Sequence, residues 1–139
     1  MWSRTHSKRV QGILAEQVWR VWTDVNQWHH WQPDIDRAHI DGAFAVGNTF
    51  MLKPKGGPKV NIEIVEVQPN RRFTDLTRFP GARMFGDHQF VQRGGQLEIC
   101  TTMRIEGPLA FVWRKIVAEG VARSMPAQTD QLIARAANG

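Results

Sequence analysis

The chain of 139 residues has 18 Lys and Arg against 13 Asp and Glu, for a formal net charge of +5, and 42% of its residues are hydrophobic. This composition is typical of one soluble domain that buries its core without metal or disulfide, and no stretch approaches the roughly 18 apolar residues of a membrane span. Cys100 is the single cysteine, which excludes an internal disulfide and a CxxC motif. We expect one domain over residues 1–139, with no cofactor, no metal and no integral membrane association.

The first ten residues, MWSRTHSKRV, are basic and are followed by no apolar h-region or small-residue cleavage site. This pattern predicts no secretory signal and a cytoplasmic location. A first strand is expected within Trp2 to Val10, although polar and apolar residues alternate poorly there.

The segment VWRVWTDVNQWHHW, residues 18–31, contains four of the six tryptophans. Apolar residues recur at helical spacing from Leu14 to Trp22 and predict a first amphipathic helix. A second short helical turn carries Trp28 and Trp31 and ends at the following proline. We therefore expect an elbow of two short helices.

From Ile35 to Glu106 the hydrophobic pattern changes to period two, and the turn-like segments DG, VGN, KGGPK, QPN, PGAR and RGGQ interrupt it. Gly, Pro and Asn are favoured in tight turns. The pattern predicts about six strands, and connections this short make them antiparallel.

Helical spacing returns after EGP at residues 106–108 and continues to Leu132. This predicts a long C-terminal helix, which Pro126 should kink or break in two. The predicted fold is α+β: a curved antiparallel sheet of about seven strands, two short helices after the first strand, and the long C-terminal helix.

Four segments carry a resemblance to a known family: AEQVWRVWTDVNQWHHW at 15–31, GAFAVGNTF at 42–50, TRFPGARMFGDHQF at 77–90 and GPLAFVWRKI at 107–116. With the order of the elements, they resemble the START-like, polyketide cyclase/dehydrase (SRPBCC) superfamily over essentially the whole chain. The resemblance implies a helix-grip fold, in which the sheet wraps around the last helix and encloses an apolar cavity. Activity is left open, because members carry lipids, bind hormones or cyclise polyketides.

Three turns predict the register of the central strands. A symmetric hairpin at PGAR pairs Asp75 with His88, a type I′ turn at GG pairs His88 with Thr101, and the turn at PN pairs Ile64 with Asp75. All three place the same set of residues on one face of the sheet. That face is apolar except for Asp75, Thr77, His88 and Thr101, and we expect it to point towards the C-terminal helix.

The residues expected to bind a ligand follow from this face and from the resemblance, which places the elbow and the last helix beside the cavity. They are Trp28, Trp31, Ile62, Ile64, Phe73, Asp75, Thr77, Phe79, Met84, His88, Phe90, Ile99, Thr101, Met103, Trp113 and Ile116.

Asp75 and His88 are the best candidates for chemistry. A buried carboxylate or imidazolium is costly unless it is paired, and these two would satisfy each other. The pair could fix the imidazole tautomer and leave the other nitrogen for a ligand or a transferable proton. The alternatives are a core hydrogen bond or a solvated pair at a cavity mouth.

The sequence gives little support for a metal site or a nucleic-acid site. His29 and His30 are adjacent, so on a helix their side chains diverge by about 100°, and no HxxxH or HExxH spacing is present. The basic residues are scattered, without an RNP-like or helix-turn-helix pattern, which predicts no specific nucleic-acid binding. The sequence leaves open whether the chain forms a homodimer.

Two functions are compatible with these features. The first is binding of a small hydrophobic or amphipathic molecule, lipid or polyketide-like, in an apolar cavity between the sheet and the C-terminal helix. The alternative is an aromatase/cyclase-type enzyme that acts on a polyketide-like substrate, with His88 as acid or base. The sequence does not decide whether the protein is an enzyme.

Overall fold

The computed structural model describes residues 2–138. Strand β1 (Trp2–Gln11) precedes α1 (Ala15–Thr23), a 3₁₀ turn (Val25–Gln27) and α2 (Trp28–Trp31). Six strands follow: β2 (Ile35–Ile40), β3 (Thr49–Pro54), β4 (Val60–Gln68), β5 (Arg72–Phe79), β6 (Ala82–Arg93) and β7 (Gln96–Glu106). The C-terminal helix comprises α3 (Ala110–Trp113), a π-helical turn (Arg114–Ala118) and α4 (Glu119–Asn138).

The seven strands form one antiparallel sheet in the order β1-β7-β6-β5-β4-β3-β2. In β7 every second residue from Leu97 to Ile105 is buried, and the residues between them are half-exposed. One face of the sheet therefore packs against the helices and the other faces solvent, as period-two patterning requires. The α+β helix-grip fold predicted from the sequence is confirmed.

Two of the three predicted turn registers are confirmed. His88 pairs with Thr101 across the GG turn, as predicted. The turn type differs: of the two glycines only Gly94 has a left-handed φ, of 61°, which is typical of a type II′ turn and not of type I′. Ile64 pairs with Asp75. The β4–β5 loop is one residue longer than predicted, and a bulge after Ile64 restores the register.

The PGAR hairpin differs from the prediction by two residues. Phe79 pairs with Ala82, so Pro80 and Gly81 alone form the turn. Gly81 has a φ of 74°, and a proline followed by a residue with positive φ is typical of a type II turn. The slip is even, so every side chain keeps its predicted face while its partner changes.

The C-terminal helix continues through Pro126 without a break, so of the two predicted effects of this proline the break into two helices does not occur. Its irregularity is the π-helical turn at Arg114–Ala118, which inserts an extra residue and rotates the helix face. As a result Ala118 is buried and the predicted ligand contact Ile116 is 64% exposed; Ile116 does not reach the sheet. Among residues 2–138, no helix is both long and apolar enough to cross a bilayer.

On the solvent face, Arg72 and Asp87 join β5 to β6. Arg72 donates two hydrogen bonds to the Asp87 carboxylate, at 2.7 and 3.1 Å, and Thr74 and Gln89 donate one each. Burial by itself would raise the pKa of Asp87, but these hydrogen bonds outweigh it and hold that pKa below its ordinary value. The hydrogen bond to Asp87 in turn raises the pKa of Arg72.

Candidate functional site

Asp75 on β5 and His88 on β6 come together on the helix-facing side of the sheet. His88 Nε2 lies 3.3 Å from Asp75 Oδ2, and the two side chains are 9% and 18% exposed. The imidazole stacks on Phe73 with 4.4 Å between ring centres, and Trp22 of α1 packs edge-on against it at 5.0 Å. The predicted contact is present, although the two residues are diagonal neighbours and not directly opposite.

Gly86 makes room for this diagonal contact. It lies directly opposite Asp75, and a Cβ at that position would be 2.8 Å from Asp75 Oδ1. Diagonal cross-strand neighbours are about 7–8 Å apart, so the carboxylate has to lean over residue 86 to reach His88. Sequence reasoning missed this role because the predicted register placed His88, and not Gly86, opposite Asp75. A glycine inside a strand was the available signal.

A polar row crosses the sheet at this point, formed by Asp75, Thr77, His88, Thr101 and His6. His6 on β1 pairs with Thr101, which pairs in turn with His88. His6 Nε2 and His88 Nδ1 are buried and have no hydrogen-bond partner within the described part of the chain. An unpartnered buried polar atom costs about 1–3 kcal/mol, so these nitrogens indicate a place for a polar group from outside the chain.

Two apolar clusters flank the polar row. The larger contains the predicted ligand-binding residues Trp28, Trp31, Ile62, Ile64, Phe73, Phe90 and Ile99. The smaller contains Met103, with Phe79, Met84 and Trp113 packed against it. Ile64, Phe73 and Ile99 are at most 1% exposed. Protein atoms therefore surround these three side chains closely.

The tip of the β5–β6 hairpin contacts the first turn of the C-terminal helix. Trp113 stacks on Phe79 with 4.5 Å between ring centres, and its Nε1 donates to the Pro80 carbonyl at 2.8 Å. A cavity of about 330 Å³ beside this contact is lined by the hairpin and by the turn at Gly107. Phe79 and Trp113 thus close one end of the interface between sheet and helix.

Trp22 is a site residue that the sequence analysis did not select. Besides its contact with His88, it packs on Trp28 and Trp31 with ring centres 5.2 and 5.4 Å away. The two predicted tryptophans therefore lie behind Trp22, one layer further from the polar row. The position of Trp22 on the apolar face of α1 was the signal that could have identified it.

A groove of about 480 Å³ lies between β1 and the C-terminal helix and reaches the polar row at His6. It is lined by Trp2, Arg4, Thr5, His6, Arg114, Glu119, Ala122, Arg123, Met125 and Pro126. Met125 is only 4% exposed and also belongs to the smaller apolar cluster, so it lies between the groove and the interior. Sequence reasoning missed the groove. The poor alternation of polar and apolar residues in β1 was the signal that could have indicated it.

The paired histidines of α2 lie outside this site. His29 and His30 are exposed, and their rings are 4.0 Å apart, closer than the diverging directions of adjacent helical residues suggested. In residues 2–138, no group of three or more His, Cys, Asp or Glu side chains is placed to hold a metal ion.

Comparison with known proteins relates the whole chain to one family. The family described as "Polyketide cyclase / dehydrase and lipid transport" matches residues 1–137, whereas none of the curated proteins matches the sequence.

Solved structures share the fold at low sequence identity. A hypothetical protein from Helicobacter pylori is 15% identical with a TM-score of 0.78, over 97% of this chain and 88% of that one. Norcoclaurine synthase from Thalictrum flavum, in complex with dopamine and hydroxybenzaldehyde, is 15% identical with a TM-score of 0.67, over 94% and 84%. A START superfamily protein from Mycobacterium smegmatis is 15% identical with a TM-score of 0.63, over 94% and 98%. With the fold shared and residues 1–137 matched, the chain belongs to the polyketide cyclase/dehydrase and lipid transport family.

Proposed function

We propose that the chain binds a small hydrophobic or amphipathic molecule, lipid or polyketide-like, between the sheet and the C-terminal helix, with the ligand's polar group against the polar row. The observation that best supports this proposal is the pair of buried, unpartnered imidazole nitrogens of His6 and His88. Small-molecule sites combine apolar walls with a few such polar groups. The family description, which includes lipid transport, agrees with a ligand of this kind.

The contact with Asp75 determines what His88 can offer to a ligand. An ionised carboxylate only accepts hydrogen bonds, so the shared hydrogen lies on His88 Nε2 and the neutral imidazole presents Nδ1 as an acceptor. A hydroxyl or N–H group of the ligand would donate to Nδ1. Thr101, directly opposite His88, adds a hydroxyl that can donate or accept.

Entry of the ligand requires side chains to move, because both clusters are packed. Met125 lies at the inner side of the groove, and methionine, with its three rotatable bonds, adapts readily to a new neighbour. The ligand would enter through the groove, displace Met125 and pack its apolar part against the smaller cluster. Its polar group would then lie within reach of His6 and the polar row.

Displacement of the neutral dye Nile red by 2-naphthol and by naphthalene tests the proposal, since these two molecules differ by one hydroxyl. His88→Ala should weaken 2-naphthol binding by about tenfold, the equivalent of one buried hydrogen bond, and leave naphthalene binding unchanged. His39→Ala is the matched control, because His39 also contacts an aspartate, Asp41, at 2.7 Å but is exposed. Absence of saturable dye binding to the folded wild type would overturn the proposal.

The alternative, an aromatase/cyclase-type enzyme, is favoured by one observation, the carboxylate that holds the His88 imidazole. A general base oriented in this way can take a proton from a carbon between two carbonyl groups. NMR in D₂O would follow exchange of the C2 protons of a β-ketothioester. Exchange faster than in buffer, and lost in His88→Ala but not in His39→Ala, would support the enzyme; exchange at the buffer rate in the wild type would exclude this chemistry for that substrate.

A further inference from the structure

We infer that the groove between β1 and the C-terminal helix holds an anionic head group of the amphipathic ligand, a carboxylate or a phosphate, which is separate from the hydroxyl or N–H group that would donate to His88. The inference rests on the proposed function and names the class of ligand. Three features support it: the charges of the groove, an indole that positions two of them, and the apolar surface beside them.

The groove has a surplus of positive charge. Arg4, Arg114 and Arg123 line it together with one acid, Glu119, so three positive charges face one negative charge. Glu119 is engaged, since its Oε2 accepts a hydrogen bond from Arg114 Nε at 2.8 Å. No carboxylate within residues 2–138 lies at ion-pair distance from Arg4 or Arg123. Two guanidinium groups are thus left for an anion from outside the chain.

Three arginines elsewhere on the sheet are paired with carboxylates. Arg9, Arg78 and Arg83 each contact a glutamate on a neighbouring strand at 2.7 to 3.2 Å. A concave surface lined by one sign of charge concentrates ions of the opposite sign. The groove therefore attracts anions in a way that the paired arginines of the sheet do not.

Trp2 positions two of the guanidinium groups. Those of Arg4 and Arg114 lie 4.6 and 5.2 Å from the centre of its ring, within the range of cation–π contacts. The Trp2 Nε1–H is buried and has no acceptor within the described part of the chain. Because an indole N–H only donates, its missing partner is an acceptor, as the oxygens of carboxylates and phosphates are.

The other end of the bound molecule is apolar. Ala122, Met125 and Pro126 form the helix side of the groove, and Met125 leads to the smaller cluster. A head group on the arginines therefore directs a tail towards Met125. The volume of about 480 Å³ suits a small molecule, whereas a polynucleotide needs a continuous basic track. These features together favour a single-chain amphiphile.

Displacement of Nile red by four probes tests this inference: dodecanoate, dodecyl phosphate, dodecanol and inorganic phosphate, each below its critical micelle concentration where it has one. The wild type should bind both anionic amphiphiles at least about tenfold more tightly than dodecanol, since charge-assisted contacts to arginine are worth about 1.4 kcal/mol or more. The double variant Arg4→Gln/Arg123→Gln should lose this preference and bind dodecanol as before.

The matched control is Arg9→Gln/Arg20→Gln, which removes the same charge at two exposed arginines outside the groove lining and should keep the preference. The inference would be overturned, while the proposed function stands, if the wild type bound dodecanol and dodecanoate equally. It would also be overturned if both double variants lost the preference for the anionic amphiphiles to the same extent. Inorganic phosphate that binds as tightly as dodecyl phosphate would overturn the assignment to an amphiphile. Failure of every amphiphile and of Nile red to bind would remove the proposed function itself.

Discussion

Asp75 reaches His88 across the position of Gly86, where a Cβ atom would stand 2.8 Å from the carboxylate. Asp75, Gly86 and His88 thus determine the geometry of the candidate site. The Asp75 carboxylate contacts the His88 imidazole, and the missing side chain of Gly86 leaves the gap through which it does so. The gap follows from the two-residue turn at Pro80 and Gly81, which places Gly86 opposite Asp75. The turn therefore determines that Asp75 reaches His88 diagonally and not from directly opposite.

Gly86→Ala should displace the Asp75 carboxylate without removing either member of the pair. We expect a loss of about 1–3 kcal/mol in the free energy of unfolding, as for other insertions into packed sites, and weaker binding of 2-naphthol relative to naphthalene. Urea unfolding and Nile red displacement measure the two effects. Gly95→Ala is the control, because a Cβ there meets no atom within 4 Å. If Gly86→Ala matched the wild type in both measurements, the close approach would have no consequence.

Asp87 should make stability depend on pH in the acid range. Its pKa is lowered in the folded state, so the unfolded chain binds the proton more readily and stability falls as the pH falls. Above about pH 5 the wild type should exceed Asp87→Asn by about 1–2 kcal/mol, a range that allows for partial solvent exposure of Arg72. The difference should shrink between about pH 4 and pH 2.

Unfolding by urea at a series of pH values measures this difference. Asp36→Asn serves as the control, because Asp36 is 57% exposed and lies 3.6 Å from Lys53; it should change stability by less than about 0.5 kcal/mol at every pH. A difference between wild type and Asp87→Asn that stayed constant down to about pH 2 would contradict the expected linkage.

The alternation of residues was sufficient to predict most of the sheet. In β7 the residues from Leu97 to Ile105 alternate cleanly, and their burial follows. The strand count, the order of the elements and the facing of Asp75 and His88 came from the same pattern. β1 was harder, because it lies at the sheet edge beside a groove, where a charged residue such as Arg4 can occupy a helix-facing position.

Three features of the structure could not be predicted from the hydrophobic pattern of the sequence. The partner of Asp75 depended on the position of one turn, which is a type II turn at Pro80 and Gly81 and not a hairpin symmetric about PGAR. The rotation of the C-terminal helix depended on a π-helical turn that periodicity does not reveal, which is why Ile116 was misplaced. The groove is formed by residues more than a hundred positions apart, Arg4 and Arg123, and no local pattern relates them.

Met125→Ala should open the path between the groove and the interior. Removal of a buried methionine side chain lowers the free energy of unfolding by about 2–5 kcal/mol, and the space that it leaves should strengthen Nile red binding several-fold. Leu132→Ala is the control: Leu132 is 1% exposed on the same helix but belongs to the larger cluster. It should destabilise the protein similarly without any gain in dye affinity. A similar gain in both variants would indicate general loosening of the core and not a specific path.

The net charge of +5 should produce only weak, sequence-independent binding to DNA. Non-specific contacts to phosphates release counter-ions and weaken steeply with salt, and the three arginines of the groove surround one small concave site and do not form a continuous track. We expect retention of a labelled duplex at low salt that is lost near physiological ionic strength. Arg4→Gln/Arg123→Gln and Arg9→Gln/Arg20→Gln should reduce this retention equally, because both remove two charges. A nanomolar complex at physiological salt, or a loss confined to the groove variant, would show that the groove binds nucleic acid and would contradict its assignment to a small amphiphile.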